Sequence, residues 1–127
     1  MTIRYLGKKN SESSSAELLS GQIYPVLALW VDIPSKTSTA TVLHDDLRSA
    51  VQITAETFEV VDQSIPKMWE IAVTLDSVLM APREWQSKAF WQGLVDGAAN
   101  AVCDFDRVLP DLYKEVTGEP LRRSTVN

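Results

Sequence analysis

The chain has 127 residues, 45% hydrophobic and 23% charged, which suits one soluble globular domain and excludes a disordered or collagenous chain. Twelve basic residues stand against seventeen acidic ones, a net charge of −5, which argues against a nucleic-acid binder because such proteins need Lys and Arg to neutralise phosphates. The single cysteine, Cys103, excludes an internal disulfide framework.

The first half reads as strands. Residues 2–6 alternate apolar and polar side chains and stop at Gly7, and a polar, serine-rich run over 10–15 reads as a surface loop. Residues 22–33 carry the strongest strand signal, with a bend expected near Pro25. A turn over 35–39, a strand over 40–43, a turn at Asp45 and Asp46, and strands over 50–53 and 58–61 follow. Five short strands predict a small antiparallel five-stranded barrel-like sheet within residues 2–62.

Trp69, Ile71, Val73 and Leu75 then alternate as one last strand with a one-sided apolar face. Pro82 marks the expected start of a helix bearing Trp85, Ala89, Trp91, Leu94 and Val95 on one stripe. Asp96 is placed to cap a second helix over 98–109, with Ala98, Ala101, Val102, Phe105 and Leu109 inward. Pro110 is expected to end it, with Leu112, Tyr113 and Val116 in a further short turn before Gly118. The expected architecture is α+β, a single domain over 1–127: a barrel-like part at 2–62, a strand and two to three helices at 69–118, and a tail at 119–127. Its expected core contains Tyr5, Ile23, Val26, Leu29, Trp30, Val42, Phe58 and Val60, with Cys103 on or beside the buried helix face.

Catalytic chemistry finds little to work with. His44 is the only histidine, and the His44–Asp45–Asp46 run suits a surface turn better than a triad. Side-chain metal sites draw on several His or Cys ligands, and this chain has one of each. No phosphate-cradling or nucleophile-elbow motif occurs, so no enzyme activity, metal or cofactor is expected. Without a secretory signal or an apolar run near ~20 residues, a cytoplasmic protein is expected.

The charge distribution says more than the total. Eleven acids and only four bases lie between Asp45 and Asp106, which suits a basic protein partner by electrostatic steering. Asp45, Asp46, Glu56, Glu59, Asp62 and Glu70 are the candidate contact acids; Asp96, Asp104 and Asp106 on the helices are the alternative. Trp69 or Trp85, at the junction of sheet and helices, is the candidate part-exposed anchor, because Trp is enriched at binding hot spots.

Three segments carry a resemblance. Arg4-Tyr5-Leu6-Gly7-Lys8, Gly21-Gln22-Ile23-Tyr24-Pro25-Val26-Leu27 and Phe58-Glu59-Val60-Val61 resemble a small bacterial barrel domain of the Src-homology-three type, with Gln22 in place of the usual lysine. Ser64-Ile65-Pro66 to Trp69, Ala81-Pro82, Trp85, Phe90-Trp91 and Asp96-Gly97 resemble an element of immunity proteins from contact-dependent growth inhibition and related polymorphic toxin systems. The resemblance implies a cytoplasmic inhibitor that occludes the toxin domain of a cognate effector, often a nuclease with a basic active site. It carries no catalytic residues across, and toxin-contacting residues differ between members. A non-catalytic adaptor or regulatory module, whose barrel binds a peptide or assembly partner, is the competing reading.

Overall fold

Period-two alternation makes the first half of the chain sheet, and a longer period makes its last third helix. In the computed structural model, which describes residues 1–7 and 18–121, these parts form an antiparallel sheet followed by two helices, an α+β architecture. The expected loop over 10–15 and residues 122–127 of the expected tail lie outside the described residues. Leu121, inside that expected tail, packs against the core.

Strands β1 (Thr2–Tyr5), β2 (Ile23–Asp32), β3 (Thr37–Leu43), β4 (Ala50–Thr54) and β5 (Phe58–Asp62) line up in the order β4-β3-β2-β1-β5. A one-turn 3-10 helix, Ala55–Thr57, links β4 to β5. β2 is the pivot: Ile23 and Tyr24 pair with β1, and residues from Val26 onward pair with β3. The register shifts between Val26 and Ala28, a bulge just past Pro25, where the chain was expected to bend.

That bulge corrects part of the expected core. Tyr5, Tyr24, Val26 and Val42 are buried, whereas Ile23 and Val60 are exposed, and Leu29, Trp30 and Phe58 are only half-buried. Through the shift, both Leu27 and Ala28 enter the interior, so simple alternation from Ile23 onward fails. β5 exposes both faces from Glu59 to Asp62, which leaves Val60 without cover.

The second half departs further from expectation. Strand β6 (Trp69–Val73) turns back into a strand the sequence reading missed, β7 (Ser77–Pro82). Thr74 and Ser77 close the hairpin, the Thr74 N–H donating to the Ser77 carbonyl at 2.8 Å. β7 pairs along β2 from Leu29 to Asp32. Pro82 therefore ends a strand rather than opening a helix, and Trp85 lies in a 3-10 turn over Arg83–Trp85. Two residues beyond the Leu29–Met80 pair in the same register, Pro82 has no N–H to offer Leu27; the Trp69 indole Nε1 donates to the Leu27 carbonyl instead, at 3.0 Å.

Helix α1 (Lys88–Asp96) starts at Ser87, whose hydroxyl accepts from the Phe90 N–H at 3.0 Å. It ends at Gly97, whose φ of 75° is the left-handed geometry glycine adopts without penalty. Helix α2 (Ala99–Thr117) has Ala98, not Asp96, at its N-cap, and it runs straight through Pro110. Pro110 is exposed, so the helix hydrogen bond it deletes falls on the solvent side rather than in the core. α1 packs on α2 where Gly93 lies flat: a Cβ there would sit 3.0 Å from the Ala101 Cβ.

Trp85, with no exposed surface, is the keystone between sheet and helices. Its ring stacks with Phe90 at 5.8 Å and Phe105 at 5.0 Å. Ala101, Phe105, Val108, Leu109 and Leu112 supply the buried stripe of α2, while Cys103 lies outside it, exposed.

Candidate protein-binding surface

The helices cover one face of the sheet incompletely. A cleft of about 600 Å³ opens between the β3–β4 hairpin and the helix pair. Its sheet wall is Thr41, Ser49, Ala50 and Gln52; its helix wall is Trp91, Leu94, Val95, Val102 and Phe105. Thr41, Gln52 and Trp91 also border a hollow of about 260 Å³ that reaches Trp30 and Leu79. Alternation explains the sheet wall: from Ala28 on, the even positions of β2 face the helices, and their partners on β3 are Thr41, Thr39 and Thr37, short polar residues that fill little volume.

Trp91 stands at the centre of this region. Its ring meets Trp85 edge-on at 6.2 Å and Phe90 at 5.0 Å, so its position is fixed by aromatic packing. Its indole Nε1 is buried and has no acceptor among the described residues, an unmet donor beside an open cleft. The expectation of a part-exposed Trp69 or Trp85 is therefore corrected: both are buried and hold carbonyls of the fold, while Trp91 and Trp30 are the half-buried pair. The signal that could have found Trp91 was its place one residue after the core Phe90, which turns it away from the centre of the buried stripe.

The β3–β4 turn borders the same cleft through Arg48 and Ser49. His44 N–H donates to the Ser49 carbonyl and Leu47 N–H to the His44 carbonyl, each at 2.8 Å. The Asp46 carboxylate accepts from the Arg48 and Ser49 N–H groups at 2.7 and 2.9 Å and from the Ser49 hydroxyl at 2.8 Å. Burial alone would raise the Asp46 pKa, but these donors, with His44 nearby, outweigh it and hold the carboxyl below its ordinary range. Leu47 takes a left-handed φ of 60°, which a leucine tolerates only because the surrounding bonds fix the turn. His44 itself is part of this scaffold: its Nδ1 accepts the Asp46 N–H at 3.1 Å.

Asp45 reaches the other way, accepting from Gln22 Nε2 at 2.7 Å and the Tyr24 hydroxyl at 3.1 Å. Burial is the main reason the Tyr24 phenol is pushed above its ordinary pKa. The remaining candidate acids sit in separate neighbourhoods. Glu56 is in the 3-10 turn before β5, and Glu59 pairs with Arg4 across β1 and β5 at 3.0 Å. Asp62 caps the end of β5, accepting from Ser64 N–H at 2.9 Å, which lowers its pKa. Glu70 pairs with Arg83 at 3.1 Å, at the start of β6. Of these carboxylates Glu59 and Glu70 are offset by arginines, whereas Asp45, Asp46 and Asp62 are held by neutral donors and keep their full negative charge.

No group of three or more His, Cys, Asp or Glu side chains placed to hold a metal ion occurs among the described residues. Among the same residues no helix is long and apolar enough to cross a membrane. No family profile, curated protein or solved structure matches the chain.

Proposed function

We propose that this chain is an immunity protein: it binds a cognate toxin domain, a nuclease with a basic active site, and neutralises it by occlusion. The observation that supports this most is the cleft: half-buried Trp91 and exposed Val95 and Val102 line it, half-buried Trp30 borders the adjoining hollow, and the acidic β3–β4 turn meets its rim through Arg48 and Ser49. That combination of an aromatic centre and a charged rim is how a desolvated hot spot is built. Basic residues of the toxin meet Asp45 and Asp46, while an apolar side chain enters between Trp91 and Val95. Placement in the cytoplasm belongs to the same reading.

Val95 is 80% exposed and lines the cleft, so Val95→Arg tests the interface without disturbing the core. Co-expressed with the toxin domain encoded by the neighbouring gene, the parent protein co-purifies and protects cells. Val95→Arg should weaken that binding by about 10-fold or more, with stability changed by no more than ~0.5 kcal/mol. Full protection by Val95→Arg would remove the cleft from the interface. Absence of any complex with the parent would favour the adaptor reading, which the peptide-sized cleft also suits.

A further inference from the structure

The sheet face turned away from the helices is open at one end. Cross-strand pairing sets Ile71 beside Met80 and Leu29, and Val73 beside Val78 and Val31, so these six apolar side chains share one surface. Exposure rises toward the edge: Ile71 58%, Val73 68%, and Leu75 in the hairpin turn 93%. Scattered exposed aliphatics are ordinary, but a contiguous set ending on a strand edge marks a contact surface.

The edge itself is unprotected. Among the described residues β6 pairs only with β7. The bond from Thr74 N–H to Ser77 makes residues 74 and 77 a hydrogen-bonded pair, so with the observed register Ala72 and Glu70 also bond inward to β7. Ile71 and Val73 therefore turn their N–H and C=O groups outward. Natural edges are usually blunted by Lys, Pro or a bulge. None occurs between Trp69 and Asp76, and the β6–β7 register is unbroken. The other edges are more polar: β4 presents Gln52 and Thr54, and β5 carries two acids, Glu59 and Asp62, within its five residues where β6 carries only Glu70.

The geometry points to a second copy of this chain as the occupant, joined by antiparallel pairing of β6 with its counterpart about a two-fold axis at Ala72. In that register Ile71 lies opposite Val73 of the other copy, so the outward backbone groups of both residues are satisfied. The side chains match as well. Ile71 meets Val73 twice, Ala72 meets Ala72, and Glu70 meets Thr74, so no like charges are opposed. A lone basic strand would satisfy the backbone but would bring no apolar partner in register with both residues. The pairing is self-complementary and needs only the sequence already on the edge.

The contact is one short strand long, and each copy carries a net charge of −5. It should therefore be a concentration-dependent dimer, and one that tightens as salt screens the repulsion between copies. Sedimentation equilibrium of the purified protein over a wide dilution series, at low and high salt, measures both. Val73→Lys places a charge on the shared face and should raise the dimer dissociation constant by about 10-fold or more. Ile71→Pro removes an outward N–H while sparing the inward ladder, and should abolish dimerisation. Circular dichroism of both variants confirms that the fold is kept, and if Ile71→Pro misfolds, Val73→Lys alone decides. A parent that stays monomeric at every concentration overturns the proposal. So does a dimer that Val73→Lys leaves as tight as before.

Discussion

Asp46 shows how a single side chain can be read two ways. As a member of an acid-rich stretch it looks like a steering charge, yet its oxygens are taken up by donors from Arg48 and Ser49. Because folding lowers its pKa, the Asp46 contribution to stability is full above the ordinary carboxylate range and is lost as pH falls through the depressed folded value. Asp46→Ala should cost about 1 kcal/mol at neutral pH, a modest figure because the carboxylate is partly solvated. The same variant should also flatten the acid limb of the stability profile, measured by urea unfolding between pH 3 and pH 7 at roughly constant ionic strength. An acid limb unchanged from the parent would mean that another carboxylate sets it. The sequence showed the turn, since Asp45 and Asp46 are turn formers between β-branched runs. It could not show which carboxylate faced inward, because that depends on hydrogen bonds closed only after β3 and β4 pair.

Among the elements, the short strands of the first half were the most legible. β1 and β3 to β5 lie where alternation put them, β3 starting earlier, at Thr37. β7 was missed because Pro82 is ambiguous: it suits the first turn of a helix and equally the last residue of a strand. What decided between them was remote, the β2 edge left open beyond β1. Pro110 misled for the opposite reason, since helix propensity treats every proline as a break and ignores which side of the helix it faces. The helix pair adds a prediction of its own. Gly93→Ala would gain roughly 0.5–1 kcal/mol in helix propensity, but its Cβ would meet the Ala101 Cβ, a neighbour fixed to its own backbone. Overpacking of that kind costs about 1–3 kcal/mol, so the melting temperature should fall. A rise would mean that α1 can slide away from α2.

At the scale of the whole molecule, the two binding proposals use opposite sides of the sheet and respond oppositely to salt. Toxin capture through the cleft is an association of unlike charges and should slow as ionic strength rises, whereas pairing of two acidic copies should strengthen. Stopped-flow association with the toxin domain, run at the salt concentrations used for sedimentation, separates the two. Of the fold, the α+β class and the order of sheet before helices were legible, because both follow from local periodicity. The cleft was not, because it is the gap between an aromatic cluster and a row of short polar residues some 40 positions away in sequence.

The indole of Trp69, bonded to Leu27 where Pro82 has no N–H to give, has a practical consequence. Each tryptophan side chain carries one proton on nitrogen, and for three of the four those protons sit in different settings: Trp69 held by Leu27, Trp85 aimed at the Asp104 carbonyl at 3.4 Å, and Trp91 with no acceptor among the described residues. Nuclear magnetic resonance separates such protons without any label. The Trp69 signal reports whether the β6–β7 hairpin stays fastened to β2, the Trp85 signal whether the helices stay docked, and the Trp91 signal whether something has entered the cleft. The protein thus carries an intrinsic reporter at each of its three junctions.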